Sequence, residues 1–153
     1  MKSADMWFSE YDEFHRHPTN KMLHAICIPL IMFSIVGLLW MIPVPAWFPS
    51  GCNVATLSAL FTLAYYCRLS PSLAVAMLVI YALMLSGAFW LQQTVPGQVV
   101  ALSLAVFFAG WIGQFVGHKI EGKKPAFFDD VRFLLIGPLW LVGFLYRRWG
   151  IRY

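Results

Sequence analysis

Residues 111–125, WIGQFVGHKIEGKKP, carry an apolar run without a break into glutamine, histidine, glutamate and lysines. Ionisable side chains at the end of a membrane-crossing helix are costly to place, so their presence marks a site. In a helix over 111–121, Gln114 and His118 are four residues apart and His118 and Glu121 three apart, which puts all three on one face. Such a face can hold a metal.

Outward from this stretch the chain is 60% hydrophobic and 12% charged over 153 residues, too apolar for a soluble domain and too long for a single anchor. It reads as an all-α integral membrane protein, one helical domain over 1–153, because four spans of about 20 residues each fill roughly half the chain. The net charge of +4 serves membrane topology rather than nucleic acid, since the basic residues sit beside apolar spans. Asp5, Glu10, Asp12 and Glu13 interrupt any h-region near the start, so no signal peptide is apparent and the N-terminus is expected to be retained. Cys27, Cys52 and Cys67 form no CxxC pair and lie in or beside apolar spans, which suits small hydrophobic filler rather than a disulfide framework.

In residues 1–22, Trp7, Phe8, Tyr11, Phe14 and His15 recur every three or four positions among acidic residues, the pattern of an interfacial amphipathic helix. Pro18 disfavours helical geometry at His17 and ends it; Thr19 or Asn20 then caps the next helix. Transmembrane helices are expected over 23–42, 53–69, 72–91 and 99–117, with Pro29 kinking the first. Uncharged loops follow at 43–51 and 92–98. The apolar segment 131–146 reaches only about 24 Å as a helix, short of the ~30 Å hydrocarbon core. Gly137-Pro138 interrupts it, so it is expected to be re-entrant or interfacial and to cover the site.

All eleven Lys and Arg lie in the N-terminal segment, at Arg68, in 119–132 or in 147–152. By the positive-inside rule both termini and the site then face the cytoplasm, and the uncharged loops face outward. The brevity of the chain points to a bacterial inner membrane more than to the endoplasmic reticulum.

This topology brings His15, His24 and His118 to one layer, where three histidines with open positions suit Fe(II) or Zn. The alternative for each is a histidine that merely tolerates the headgroup region. Glu121 has three readings: a fourth ligand, a group orienting a histidine through its free ring nitrogen, or a salt-bridge partner of Lys123 or Lys124. Gln114 and Asn20 are candidates to hold ligand or substrate, with Asn20 as a helix cap the bland alternative. Tyr11, one turn before His15, either donates to an oxygen ligand or anchors at the interface. One of Lys119, Lys123, Lys124 and Arg132 could receive an acyl carboxylate, Lys124 being the candidate. His17 diverges from His15 in a helix and reads as a surface residue.

Tyr11-x3-His15-x4-Asn20-x3-His24 with Ile28-Pro29, then Gln114-Phe-Val-Gly-His118-x2-Glu121 with Lys124-Pro125-Ala126 and Gly137-Pro138, resembles the small membrane 2-hydroxy fatty acid dioxygenase family. The resemblance covers about residues 11–140. It departs at Cys27, where the family usually has Gly, and at Ile120, where it has an aromatic residue. The resemblance implies Fe(II) as cofactor and O2-dependent α-oxidation of a long-chain 2-hydroxy fatty acid to an acid one carbon shorter, without 2-oxoglutarate. Membrane di-iron desaturases carry far more histidines than the four present here. Two other function classes fit three histidines in a membrane: a zinc-dependent lipid hydrolase acting through an activated water, and a non-enzymatic metal carrier or scaffold.

Overall fold

The computed structural model describes residues 2–49 and 52–153; Met1, and Ser50 and Gly51 at the end of the expected 43–51 loop, lie outside the described residues. Among the described residues six α-helices follow in order: α1 (Ala4–Asp12), α2 (Pro18–Trp40), α3 (Val54–Leu69), α4 (Pro71–Thr94), α5 (Val99–Glu121) and α6 (Phe133–Arg148), with a 3-10 turn at Ala126–Phe128. Among the described residues there is no strand.

Helices α2, α4 and α5 have 23, 24 and 23 residues and are apolar enough to cross a membrane. The second expected span, over 53–69, is α3, which is apolar but has 16 residues, about 24 Å against a ~30 Å core. Local chemistry sets the starts. Pro18 and Pro71 occupy first-turn positions, where a missing N–H costs nothing. Asn53 and Thr56 exchange hydrogen bonds in a capping box that opens α3.

The amphipathic helix expected over 1–22 ends at Asp12, well before Pro18. Short-range bonds close the chain behind it, Phe14 N–H to the Tyr11 carbonyl at 3.1 Å and His15 N–H to that of Asp12 at 3.2 Å. Pro18 forces extended backbone on His17, and that conformation is the one an N-cap needs. His17 therefore caps α2, its Nδ1 accepting from the Thr19 N–H at 3.2 Å; neither Thr19 nor Asn20 does so.

Helices α2 and α5 run antiparallel, Gly117 facing Asn20 at one end and Gly37 facing Ser103 at the other. Along the seam a Cβ on Gly110 would fall 2.6 Å from Ile31 Cγ1, and one on Gly113 would fall 2.5 Å from Cys27 Sγ. Small residues at such seams let membrane helices approach closely enough for dispersion and hydrogen bonding to hold them.

Gly137-Pro138 does not interrupt the last apolar segment, because α6 is continuous through it. Burial of Ile136, Gly137, Pro138, Leu139 and Trp140 holds the helix against the lost hydrogen bond. Trp140 Nε1 donates to Asp12 at 3.0 Å, and the Tyr153 hydroxyl donates to Asp5 at 3.1 Å. The Phe8 ring sits where a side chain at Gly143 would be. Tyr66, near the end of α3, donates to the Leu135 carbonyl at 2.7 Å, and Tyr146 donates to that of Ser72 at the start of α4, at 3.1 Å. Helices α1 and α6 thus form a layer across one end of the bundle.

Gly110→Ala is expected to destabilise the protein by about 1–3 kcal/mol, since a β-branched Ile31 in a helix has little rotamer freedom to give way. Gly113→Ala should be recovered by Cys27→Gly in the same chain, which removes the clashing sulfur. Thermal unfolding of the single and double variants in detergent checks both.

Candidate metal centre

Three elements each deliver one histidine: the turn after α1 gives His15, the second turn of α2 gives His24, and the last turn of α5 gives His118. Their exposures are 0%, 1% and 4%. Ring centroids lie 4.2 Å apart for His15 and His24, 4.9 Å for His15 and His118, and 4.8 Å for His24 and His118. One ring nitrogen from each falls within 4.8 Å of the others.

Two rings are oriented by backbone. His15 Nδ1 lies 2.7 Å from the Tyr11 carbonyl and His24 Nδ1 3.0 Å from the Asn20 carbonyl. A carbonyl accepts only, so each Nδ1 carries the proton and each Nε2 keeps its lone pair, the arrangement of a metal-binding histidine. His15 Nε2 and His118 Nδ1 are buried without a partner, which is unfavourable unless something occupies the space between them. Burial lowers the His15 pKa to about 4, so its imidazole is neutral at pH 7. Three imidazoles converging at this distance, with two orphaned nitrogens among them, fit a transition-metal ion.

The support around these rings is specific. Glu121 Oε1 accepts from the Arg16 N–H at 2.9 Å, and Oε2 accepts from the His17 N–H at 2.8 Å and from Asn20 Nδ2 at 3.0 Å. Of the three readings of Glu121 none matches this geometry: both oxygens are used to clamp the backbone that carries His15. Asn20 also donates to the Phe14 carbonyl at 3.1 Å, and Lys123 Nζ donates to that of Glu13 at 2.7 Å. Past Glu121 the chain turns through Gly122 at φ 73°. Lys123 N–H then bonds the His118 carbonyl and Gly122 N–H that of Lys119, both at 3.3 Å. This Schellman closure anchors His118. Tyr11 stacks on His15 at 4.0 Å and 16°, through the turn rather than along a helix face.

The histidines open onto a cavity of about 140 Å³, whose walls include Tyr11, Gln114, Trp111, Ile28, Phe133 and the 125–127 segment. Gln114 and Tyr11 thus both stand on its wall, and burial raises the Tyr11 pKa, keeping its hydroxyl protonated. Asn20 and Lys124 do not line it. Lys124 is ion-paired with Asp129 at the surface, beside Pro125, which does. His17 is exposed. Trp111 escaped the sequence reading although it precedes Gln114 by three residues on the same face; its indole N–H is buried without a partner.

A family model described as 2-hydroxy-palmitic acid dioxygenase Mpo1-like matches residues 1–149. The chain belongs to the Mpo1-like family. The 2-hydroxy-palmitic acid dioxygenase MPO1 of Saccharomyces cerevisiae is 31% identical over 140 residues, covering 90% of this chain and 76% of the yeast protein. No solved structure matches. A yeast relative means that membership in the Mpo1-like family does not point to a bacterial membrane. The two departures from the expected motif are accommodated: Cys27 packs into the space left by Gly113, and Ile120 is on the exposed side of α5.

Glu121→Gln keeps the shape of the clamp but turns one oxygen into a donor facing a donor. Metal affinity is expected to fall roughly 10–100-fold, measured by chelator competition, whereas Lys124→Ala should leave it unchanged.

Proposed function

We propose that this Mpo1-like protein is an Fe(II)-dependent dioxygenase that converts long-chain 2-hydroxy fatty acids, with O2, into acids one carbon shorter. The observation that carries the reading is the buried three-histidine cluster opening onto an apolar cavity, in a chain whose family and yeast relative bear the name of 2-hydroxy-palmitic acid dioxygenase. In balance, substrate and O2 give the shorter acid, CO2 and water; the C1–C2 bond breaks and C2 becomes the new carboxyl carbon.

His15, His24 and His118 would hold the metal, and ferrous iron there would supply a binding point for the carboxylate and hydroxyl together with the activation of O2. The Tyr11 and Asn20 carbonyls keep the ring protons on the far side of the imidazoles. The Tyr11 hydroxyl and the Gln114 amide would meet substrate oxygens, a role supported by both residues lining the cavity. Glu121 and Asn20 act through the backbone and are positioning residues. Lys124 would meet a carboxylate only by leaving Asp129. Apolar walls exclude water, which strengthens each polar contact with the head group. The placement of Lys and Arg supports a site at the cytoplasmic face of the bilayer.

Protein purified anaerobically, loaded with Fe(II) and given 2-hydroxyhexadecanoate should consume O2 and release the acid one carbon shorter in equal amounts. His15→Ala, His24→Ala and His118→Ala should each abolish turnover and metal retention. Bound zinc with lipid hydrolysis in the absence of O2 would transfer the assignment to the hydrolase class. Tyr11→Phe keeps the stacked ring and removes only the hydroxyl; kcat/KM is expected to drop roughly 10–100-fold, the worth of a hydrogen bond to a charged group.

A further inference from the structure

The cavity at the histidines, about 140 Å³, is close to an engineered cavity of about 150 Å³ that takes one benzene. A long-chain acid is far larger, so its tail must continue elsewhere. On one side the cavity meets the exposed residues Ile35 and Leu134. On another, Ile28, Met32 and Pro138 line both this cavity and a second space between α2, α4 and α6.

That second space is about 310 Å³, and every side chain lining it is apolar. Joined to the first, it brings the volume into the range of roughly 300–1,000 Å³ usual for ligand sites. Pro29 and Pro138, the two prolines inside helices that start elsewhere, both stand on its wall, where each ring takes one backbone donor out of its helix. Met32, Met77 and Met84 also line it, and unbranched thioether side chains reshape around a guest at little cost.

We propose that the acyl tail of the substrate passes between Ile28, Met32 and Pro138 into this groove, and that Ile80 and Met84 on α4 set the chain length accepted. The proposal rests on the 2-hydroxy acid reading above. The mouth at Ile35 and Leu134 then serves to admit the acid sideways from the bilayer, while the groove holds its tail.

Ile80→Trp fills the groove without touching the histidine cavity. Each methylene denied burial lowers kcat/KM about fourfold. The variant should therefore lose on the order of tenfold or more on 2-hydroxyhexadecanoate while keeping wild-type kcat/KM on 2-hydroxyoctanoate. An unchanged chain-length profile, in a variant with wild-type metal content and melting temperature, overturns the proposal. A 2-hydroxy acid with a terminal diazirine gives a second readout that needs neither the variant nor turnover. Cross-links on Met77, Ile80 or Met84 support the groove; cross-links confined to Ile35 and Leu134 put the tail in the bilayer and overturn it. Cross-links on α4 in wild-type protein that oxidises no 2-hydroxy acid would keep the groove and overturn the reaction alone.

Discussion

Two backbone N–H groups and one side-chain amide converge on the carboxylate of Glu121, and the histidine cluster depends on that convergence. His15 belongs to no helix. It sits in a turn between α1 and α2, a kind of segment that is ordinarily mobile and solvent-facing. By accepting from Arg16, His17 and Asn20 at once, Glu121 fastens that turn to the end of α5, where His118 is. The Asn20 carbonyl in turn orients His24, so one carboxylate connects the supports of all three rings.

The clamp requires α2 and α5 to be close and in register, which is the work of the small residues between them. A side chain at Gly117 would collide with the Asn20 amide and break the chain of contacts at its centre. The same closeness explains how Cys27 is tolerated opposite Gly113. Antiparallel packing then brings the start of one long helix and the end of the other to the same level, although His24 and His118 are 94 positions apart in the chain.

Over this end of the bundle α1 and α6 form a lid of aromatic residues. Trp140 reaches Asp12 and packs near His15, 5.7 Å between rings, and Phe133 packs against Trp7 at 5.3 Å and 88°. The result is a histidine cluster that could hold a metal ion, with polar groups on one side and apolar space on the other. That division suits a substrate with a polar head and a hydrocarbon tail.

Much of this was written locally. Apolar run length and proline positions determined most of the helices, and the polar end of residues 111–121 put Gln114 and His118 on one helix face, because these are consequences of helix geometry and bilayer thickness. Periodicity could not decide where α1 stops: the three- and four-residue aromatic pattern continues through Phe14 and His15 even though the backbone has left the helix. Nor could it assign Glu121, whose partners at Arg16 and His17 are more than 100 residues away and are backbone groups that leave no side-chain signature. The sequence by itself determined which residues could meet at one membrane level. Only the tertiary structure decided which of them converge as a candidate metal site, which hold the backbone still, and where the cavity runs, because those roles depend on contacts between distant segments.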